Sequence, residues 1–257
     1  LISVSYRHNR HTPVLAEHVV AINSLESVLR GLEDSYRNVP NERLTDHDKC
    51  NADAILAQLR SYAVGKTDYT PMTLKYVRFK LASLWDLLER VNLESHYADL
   101  AADGRLYEEH YVSRLDQTPQ SIVLRLPQNY HDKDAFPLLL LISGHPVSSY
   151  AVLANRWPDD RKFDDVIIAT IDGRGITLGS YIGEASVLEG IEVLASRFKI
   201  DENNVFLTGY SNGAYACWAL AQAYPHRFAG IAPIAGVGYV PNLRNVGNLK
   251  ILNISAG

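Results

Sequence analysis

The stretch at 206–236, FLTGYSNGAYACWALAQAYPHRFAGIAPIAG, limits the possible folds more than any other part of this chain. An apolar run at 205–207 leads into Gly209-Tyr210-Ser211-Asn212-Gly213. AYACWALAQAY follows, with the small and straight side chains that suit a helix. A second apolar run occupies 230–234. A strand that gives way to a helix within so few residues needs a sharp turn, and the Gly-x-Ser-x-Gly spacing supplies one. The serine takes a strained backbone and lifts its hydroxyl at the strand's carboxyl end, while the glycines let helix and strand approach without a Cβ collision. Ser211 is therefore a candidate nucleophile.

The surrounding pattern tells what this turn is set in. Short apolar runs without alternation stand at 138–142, 166–171, 205–207, 230–234 and 251–254. Such runs suit parallel strands covered on both faces. Helical segments at 184–198 and 213–223 lie between some of them, which predicts a parallel α/β sheet. Upstream, EHYVSRL and SIVLRL flank Asp116-Gln117-Thr118-Pro119-Gln120, the signature of a hairpin.

Residues 12 to about 100 read as helical. Val14, Leu15, Val19, Ile22, Leu25, Val28, Leu29 and Leu32 recur at helical spacing as one stripe. Thr45 is a candidate N-cap for a second helix marked by Ile55, Leu56, Leu59, Tyr62 and Ala63 and ending near Gly65. Thr70-Pro71 marks the start of a third, with Leu74, Val77, Leu81, Leu84, Leu88 and Val91. The division expected is a helical region over 1–104 and an α/β core over 105–257.

Composition excludes several classes. Lys+Arg of 25 against Asp+Glu of 29 leaves a net charge of -4, against a nucleic-acid partner, which needs a clustered basic face. No apolar run approaches the ~20 residues that cross a bilayer. Two cysteines, Cys50 and Cys217, indicate neither a disulfide framework nor a zinc site, and Cys217 is expected as a buried thiol. DHDKC at 46–50 reads as a polar helix start rather than a metal site, and Asp172-Gly173-Arg174-Gly175 as a turn too short for a phosphate loop. No metal and no cofactor are expected. Asn253-Ile254-Ser255 has the form of a glycosylation acceptor but falls on a predicted buried strand. The chain begins at Leu1 rather than methionine, so material upstream is expected to have been removed. A cleaved leader is one explanation and a chosen boundary another; a secreted or periplasmic location is favoured over the cytoplasm.

The block NVFLTGYSNGAYACWALAQAYPHRFAGIAPIAG, with VSRLDQTPQSIVLRLPQNY leading into FPLLLLISGHP, resembles the α/β-hydrolase superfamily, and within it serine esterases and prolyl-oligopeptidase-type hydrolases. The resemblance covers about residues 107–257 and leaves the first hundred outside. It implies that Ser211 attacks a carbonyl to form an acyl-enzyme. The oxyanion would be held by the N–H of Asn212, which opens a helix, and by a second N–H from Ser143-Gly144-His145-Pro146. The family often has His-Gly-Gly there. Pro146 has no N–H, so the second donor falls to Gly144, His145 or Val147. Tyr210, beside Ser211, is expected to line the substrate pocket, whereas Tyr150, Trp157 and Tyr181 read as packing.

In that family a carboxylate and then a histidine follow the serine. No Asp or Glu follows Ser211 here, and the later histidine, His226, lies past a helix ~18 Å long. His145 and Asp172 fall at the same sheet edge, with plainer readings as an oxyanion-loop residue and a turn former. LKILNISAG reads as the strand before the family's acid-bearing loop. The last strand, the acid and the base are thus expected beyond Gly257 or on a companion chain. The activity expected is that of a serine hydrolase on a small-molecule or polymeric ester. A prolyl-oligopeptidase-like peptidase, an acyltransferase and a non-catalytic binding module are the alternatives.

Overall fold

The computed structural model describes residues 6–7, 14–15, 25–64, 71–93, 105–143, 150, 153, 165–171, 174, 177, 181–236 and 241–255. The chain divides into two compact units, Leu1–Ser95 and His96–Gly257.

In the first unit, α1 (Leu25–Arg37), α2 (Asp46–Val64) and α3 (Pro71–Leu93) share a core that includes Leu29, Leu32, Ile55, Leu59, Leu84 and Leu88. The predicted cap of α2 is present and reciprocal. The Asp48 N–H donates to Thr45 Oγ1 at 3.1 Å, and the Thr45 N–H donates to Asp48 Oδ2 at 3.0 Å, so two otherwise orphaned amides are satisfied. The buried Asp48 carboxylate also pairs with Arg90 of α3, which gives the polar 46–50 run a structural role. The first stripe is shorter than its sequence suggests. Val14–Leu15 forms a strand (β2) antiparallel to Tyr6–Arg7 (β1). Two adjacent apolar residues carry no period that could distinguish helix from strand.

The second unit is built on a seven-stranded sheet: β3 (Leu106–Val112), β4 (Pro119–Arg125), β5 (Phe136–Ile142), β6 (Ile167–Ile171), β7 (Ile200–Tyr210), β8 (Gly230–Ile234) and β9 (Lys250–Ile251). Their spatial order is β3-β4-β6-β5-β7-β8-β9. The hairpin β3–β4 is antiparallel and joins β6 antiparallel; every pairing from β6 to β9 is parallel. The apolar runs fall where covered strands need them: Ile122, Leu138, Leu140, Ile167 and Leu207 are all fully buried. α4 (Tyr181–Arg197) and α5 (Asn212–Ala223) contribute Val187, Leu194, Cys217 and Leu220 to the same core. The last predicted strand is shortened to β9 plus a single pairing of Ile254 with Ile234, so Asn253 is exposed rather than buried. Among the described residues, no helix is long and apolar enough to cross a membrane.

Buried charge accompanies β3. Residues 107–111 are all buried, Glu108 and Glu109 included. Arg197 at the end of α4 donates to Glu109 Oε2 at 2.7 Å, and Ser121 of β4 donates to Glu108 Oε1 at 2.5 Å, the partnering such carboxylates need.

Candidate active site

β5, β6, β7 and β8 run in one direction, so their carboxyl ends share an edge, and Ser211 stands on it between β7 and α5. Its backbone is left-handed, with φ 54° and ψ −115°, a conformation that costs an ordinary residue about 1–3 kcal/mol. Three contacts hold it there. The Ser211 N–H donates to the Ile234 carbonyl of β8 at 3.0 Å. The Ala214 and Tyr215 amides donate to the Ser211 carbonyl at 2.9 and 3.3 Å, which starts α5 directly. The third is steric. A Cβ on Gly209 would lie 2.5 Å from the Gly213 carbonyl carbon, so strand and helix cross with their backbones touching.

The Ser211 side chain does not cap α5, although serine is a favoured N-cap, and the residue is only half-buried. The amides of Asn212 and Gly213 that follow it belong to the first turn, where helix geometry supplies no intrahelical acceptor. That turn is also the positive end of the α5 dipole. A group bearing negative charge next to Ser211 is thus favoured by local geometry alone. Tyr210, on the strand side, is 48% exposed.

β5 reaches the same edge in register, with Ile142 opposite Gly209, and Ile171 of β6 opposite Ile142. Gly144, His145, Asp172 and Trp157 lie outside the described residues. His226 is exposed in a short helical turn (Pro225–Arg227) past the far end of α5 from Ser211. Tyr150 is half-buried, and burial raises its phenol. Tyr181, expected in packing, is instead 90% exposed at the start of α4. Cys50 and Cys217 are both thiols, and burial pushes Cys217 far up, consistent with an inert packing residue.

Two features of this edge escaped the sequence reading. Ala235 is left-handed (φ 51°) and donates its N–H to the Ile254 carbonyl at 2.8 Å, while a Cβ on Gly236 would lie 2.8 Å from the Ser211 carbonyl oxygen. The IAG ending of the 206–236 stretch was the available signal. The other is Arg174, which leaves β6 with φ 57°; it donates to Asp116 Oδ2 of the β3–β4 turn at 2.5 Å and to Ser186 Oγ of α4 at 2.8 Å. No local pattern links residues so far apart in sequence. The Arg174 hydrogen bond holds the Asp116 carboxyl down at about 2.

The mostly parallel sheet with its strand–serine turn–helix defines the α/β-hydrolase fold, as the resemblance implied. A structure of the protein FAE has the same fold at a TM-score of 0.50, with 15% identity over 58% of this chain and 66% of that one. The feruloyl esterase module from Clostridium thermocellum is 13% identical over 59% of this chain and 66% of its own, at 0.49. A thermostable esterase is 17% identical over 60% of this chain and 47% of its own, also at 0.49. No family model matches the chain. In sequence, it is similar to the poly(3-hydroxyalkanoate) depolymerase C of Paucimonas lemoignei: 41% identical over 58 residues. That match spans 22% of this chain and 14% of the depolymerase.

Proposed function

We propose that the protein is a serine hydrolase that cleaves esters through an acyl-enzyme on Ser211. The observation that carries this reading is the left-handed Ser211 backbone at the carboxyl end of β7 and the start of α5, with its side chain not used as a cap. In the acylation step Ser211 Oγ bonds to the ester carbonyl carbon as its proton passes to a base, and the carbonyl electron pair moves onto oxygen. The Asn212 N–H donates to that oxyanion, helped by the α5 dipole; such donors are worth roughly 10²–10³ in rate. Collapse breaks the bond to the alcohol oxygen, which leaves with a proton, and water then repeats the sequence on the acyl-enzyme.

The second donor is assigned to Gly144 or His145, supported by β5 leaving the sheet two residues earlier opposite Gly209. Tyr210 is assigned to the substrate pocket on the strength of its exposure beside Ser211. The acid and base are assigned to residues beyond Gly257 or to a companion chain, because no Asp or Glu follows Ser211 and His226 stands past the wrong end of α5. For the substrate class, the 58-residue match to a poly(3-hydroxyalkanoate) depolymerase supports an aliphatic polyester or its oligomers over other esters.

The test is covalent. The intact protein treated with a fluorophosphonate should gain one adduct, mapped to Ser211, and Ser211→Ala should gain none. An unmodified wild-type protein, or an adduct elsewhere that survives Ser211→Ala, would sink the reading.

A further inference from the structure

α5 is covered along most of its surface: eight of its twelve residues are buried. The four that are not, Asn212, Tyr215, Ala219 and Ala223, recur every three or four positions and continue the line that begins at half-buried Ser211. Two of these four are alanines. Tyr215 is the one large side chain of α5 that is exposed, at 38%. An exposed tyrosine is ordinary on a protein surface. What sets this one apart is its place.

The backbone ties Tyr215 to the reacting end of the helix, because its N–H donates to the Ser211 carbonyl at 3.3 Å. It stands four positions after Ser211 and three after Asn212. Those two spacings make neighbours on a helix surface, with about 5–6 Å between Cβ atoms. The other residues so spaced from the pair, Ala214 and Ala216, are turned into the core at 0% and 2% exposure. Long helical side chains lean toward the amino terminus and cover the turn before their own Cα. For Tyr215 that turn opens with Ser211 and Asn212.

We propose that Tyr215 is a specificity-determining residue whose ring covers the acyl chain of the ester bound at Ser211. This rests on the hydrolase reading of Ser211 and deepens it. Of the two parts of an ester, the acyl part stays bonded to Ser211 Oγ after the alcohol leaves. A side chain tied to Ser211 through the helix itself therefore meets the acyl part in both steps. Tyrosine suits the task, since its ring shields methylenes while its hydroxyl stays in water. The group favoured is an extended aliphatic acyl chain over acetyl.

The experiment compares kcat/KM of the intact protein with that of Tyr215→Ala and Tyr215→Phe on 4-nitrophenyl acetate, butyrate and octanoate. A covered methylene is worth about fourfold. Tyr215→Ala should accordingly lose at least tenfold more on the octanoate than on the acetate, chiefly through KM. Tyr215→Phe keeps the ring and should keep the octanoate-to-acetate ratio within twofold. Methyl and hexyl esters of one acid vary the alcohol instead, and Tyr215→Ala should shift their ratio less than twofold. Matching urea midpoints would show that the variants remain folded, and Tyr215→Ser repeats the comparison should Tyr215→Ala not fold. An octanoate-to-acetate ratio unmoved by Tyr215→Ala overturns the proposal. An equal loss on every ester, the mark of a merely structural role, overturns it too, as does a loss that follows the alcohol. Fluorophosphonate labelling keeps the two readings apart: Ser211 labelled with the ratio unmoved removes only the role of Tyr215, whereas an unlabelled Ser211 in the wild-type protein removes both.

Discussion

Replacing Gly209 with alanine tests the geometry of the serine turn most directly. The added Cβ would lie 2.5, 2.6 and 2.8 Å from the carbonyl carbon, oxygen and Cα of Gly213. All three are backbone atoms of the first turn of α5, so no flexible side chain can swing aside. Ordinary contact begins near 3.4 Å, so β7 and α5 must separate by about 1 Å. Overpacking of this kind costs about 1–3 kcal/mol. Ser211 is two residues from each glycine and moves with the separation, and a misplacement of ~1 Å in a reacting group costs on the order of 10² in rate. Urea unfolding gives the first quantity, and the second-order rate of fluorophosphonate labelling of the intact protein gives the second. Gly31→Ala is the comparison: it lies at an exposed position of α1 with nothing within 4 Å of the new atom, and should gain about 0.5–1 kcal/mol from helix propensity. If Gly209→Ala unfolds within about 0.5 kcal/mol of wild type, the scatter of a surface substitution, and labels within twofold, the contact between β7 and α5 is not what the structure says.

Two further changes probe interactions away from Ser211. Thr45→Ala removes one half of the reciprocal cap and should cost the helical unit about 1 kcal/mol in thermal unfolding followed by circular dichroism. Asp48→Ala also breaks the buried pair with Arg90 and should cost about 3–5 kcal/mol; equal losses for the two variants would refute the ion pair's part. For Asp116 the folded value is depressed, so its contribution to stability is complete above the ordinary carboxylate value of 3.8 and disappears as pH falls through about 2. Asp116→Asn should accordingly differ from wild type in urea midpoint at pH 5 and converge on it near pH 2. A difference that does not change over that range would argue against the Arg174 contact.

Local physics was legible in the sequence, and distance in the chain marks where legibility stopped. The apolar runs at 138–142 and 230–234 became β5 and β8 because burial on both faces leaves room for nothing polar. The serine turn and the Thr45 cap were legible for a similar reason, each depending on atoms within four residues. β7 is different: it runs from Ile200, but 200–204 is polar and partly exposed, and its start is set by pairing with Phe136. In α2 the Thr45 cap marked the start, but the burial of Asp48 and Asn51 rests on polar partners that a hydrophobic period cannot reveal. The Arg174–Asp116 and Arg197–Glu109 pairs join positions brought together only by the sheet order.

The Ser211 turn is better understood as the first of two left-handed corners than as an isolated strain. Ser211 at φ 54° ends β7, and Ala235 at φ 51° ends the adjacent β8. Each corner is fastened to the next strand outward: the Ser211 N–H to the Ile234 carbonyl, and the Ala235 N–H to the Ile254 carbonyl. Gly236 then closes the pair, because a Cβ there would lie 2.8 Å from both the Ser211 carbonyl oxygen and the Ala214 Cβ. A strained backbone persists only where its surroundings over-determine it. Here the determination runs through three successive strand ends, so the pose of the hydroxyl depends on the pairing of 252–254 with β8 as well as on its own pentapeptide. The Gly-x-Ser-x-Gly spacing specifies that a turn can form, and the β8 corner specifies that it holds.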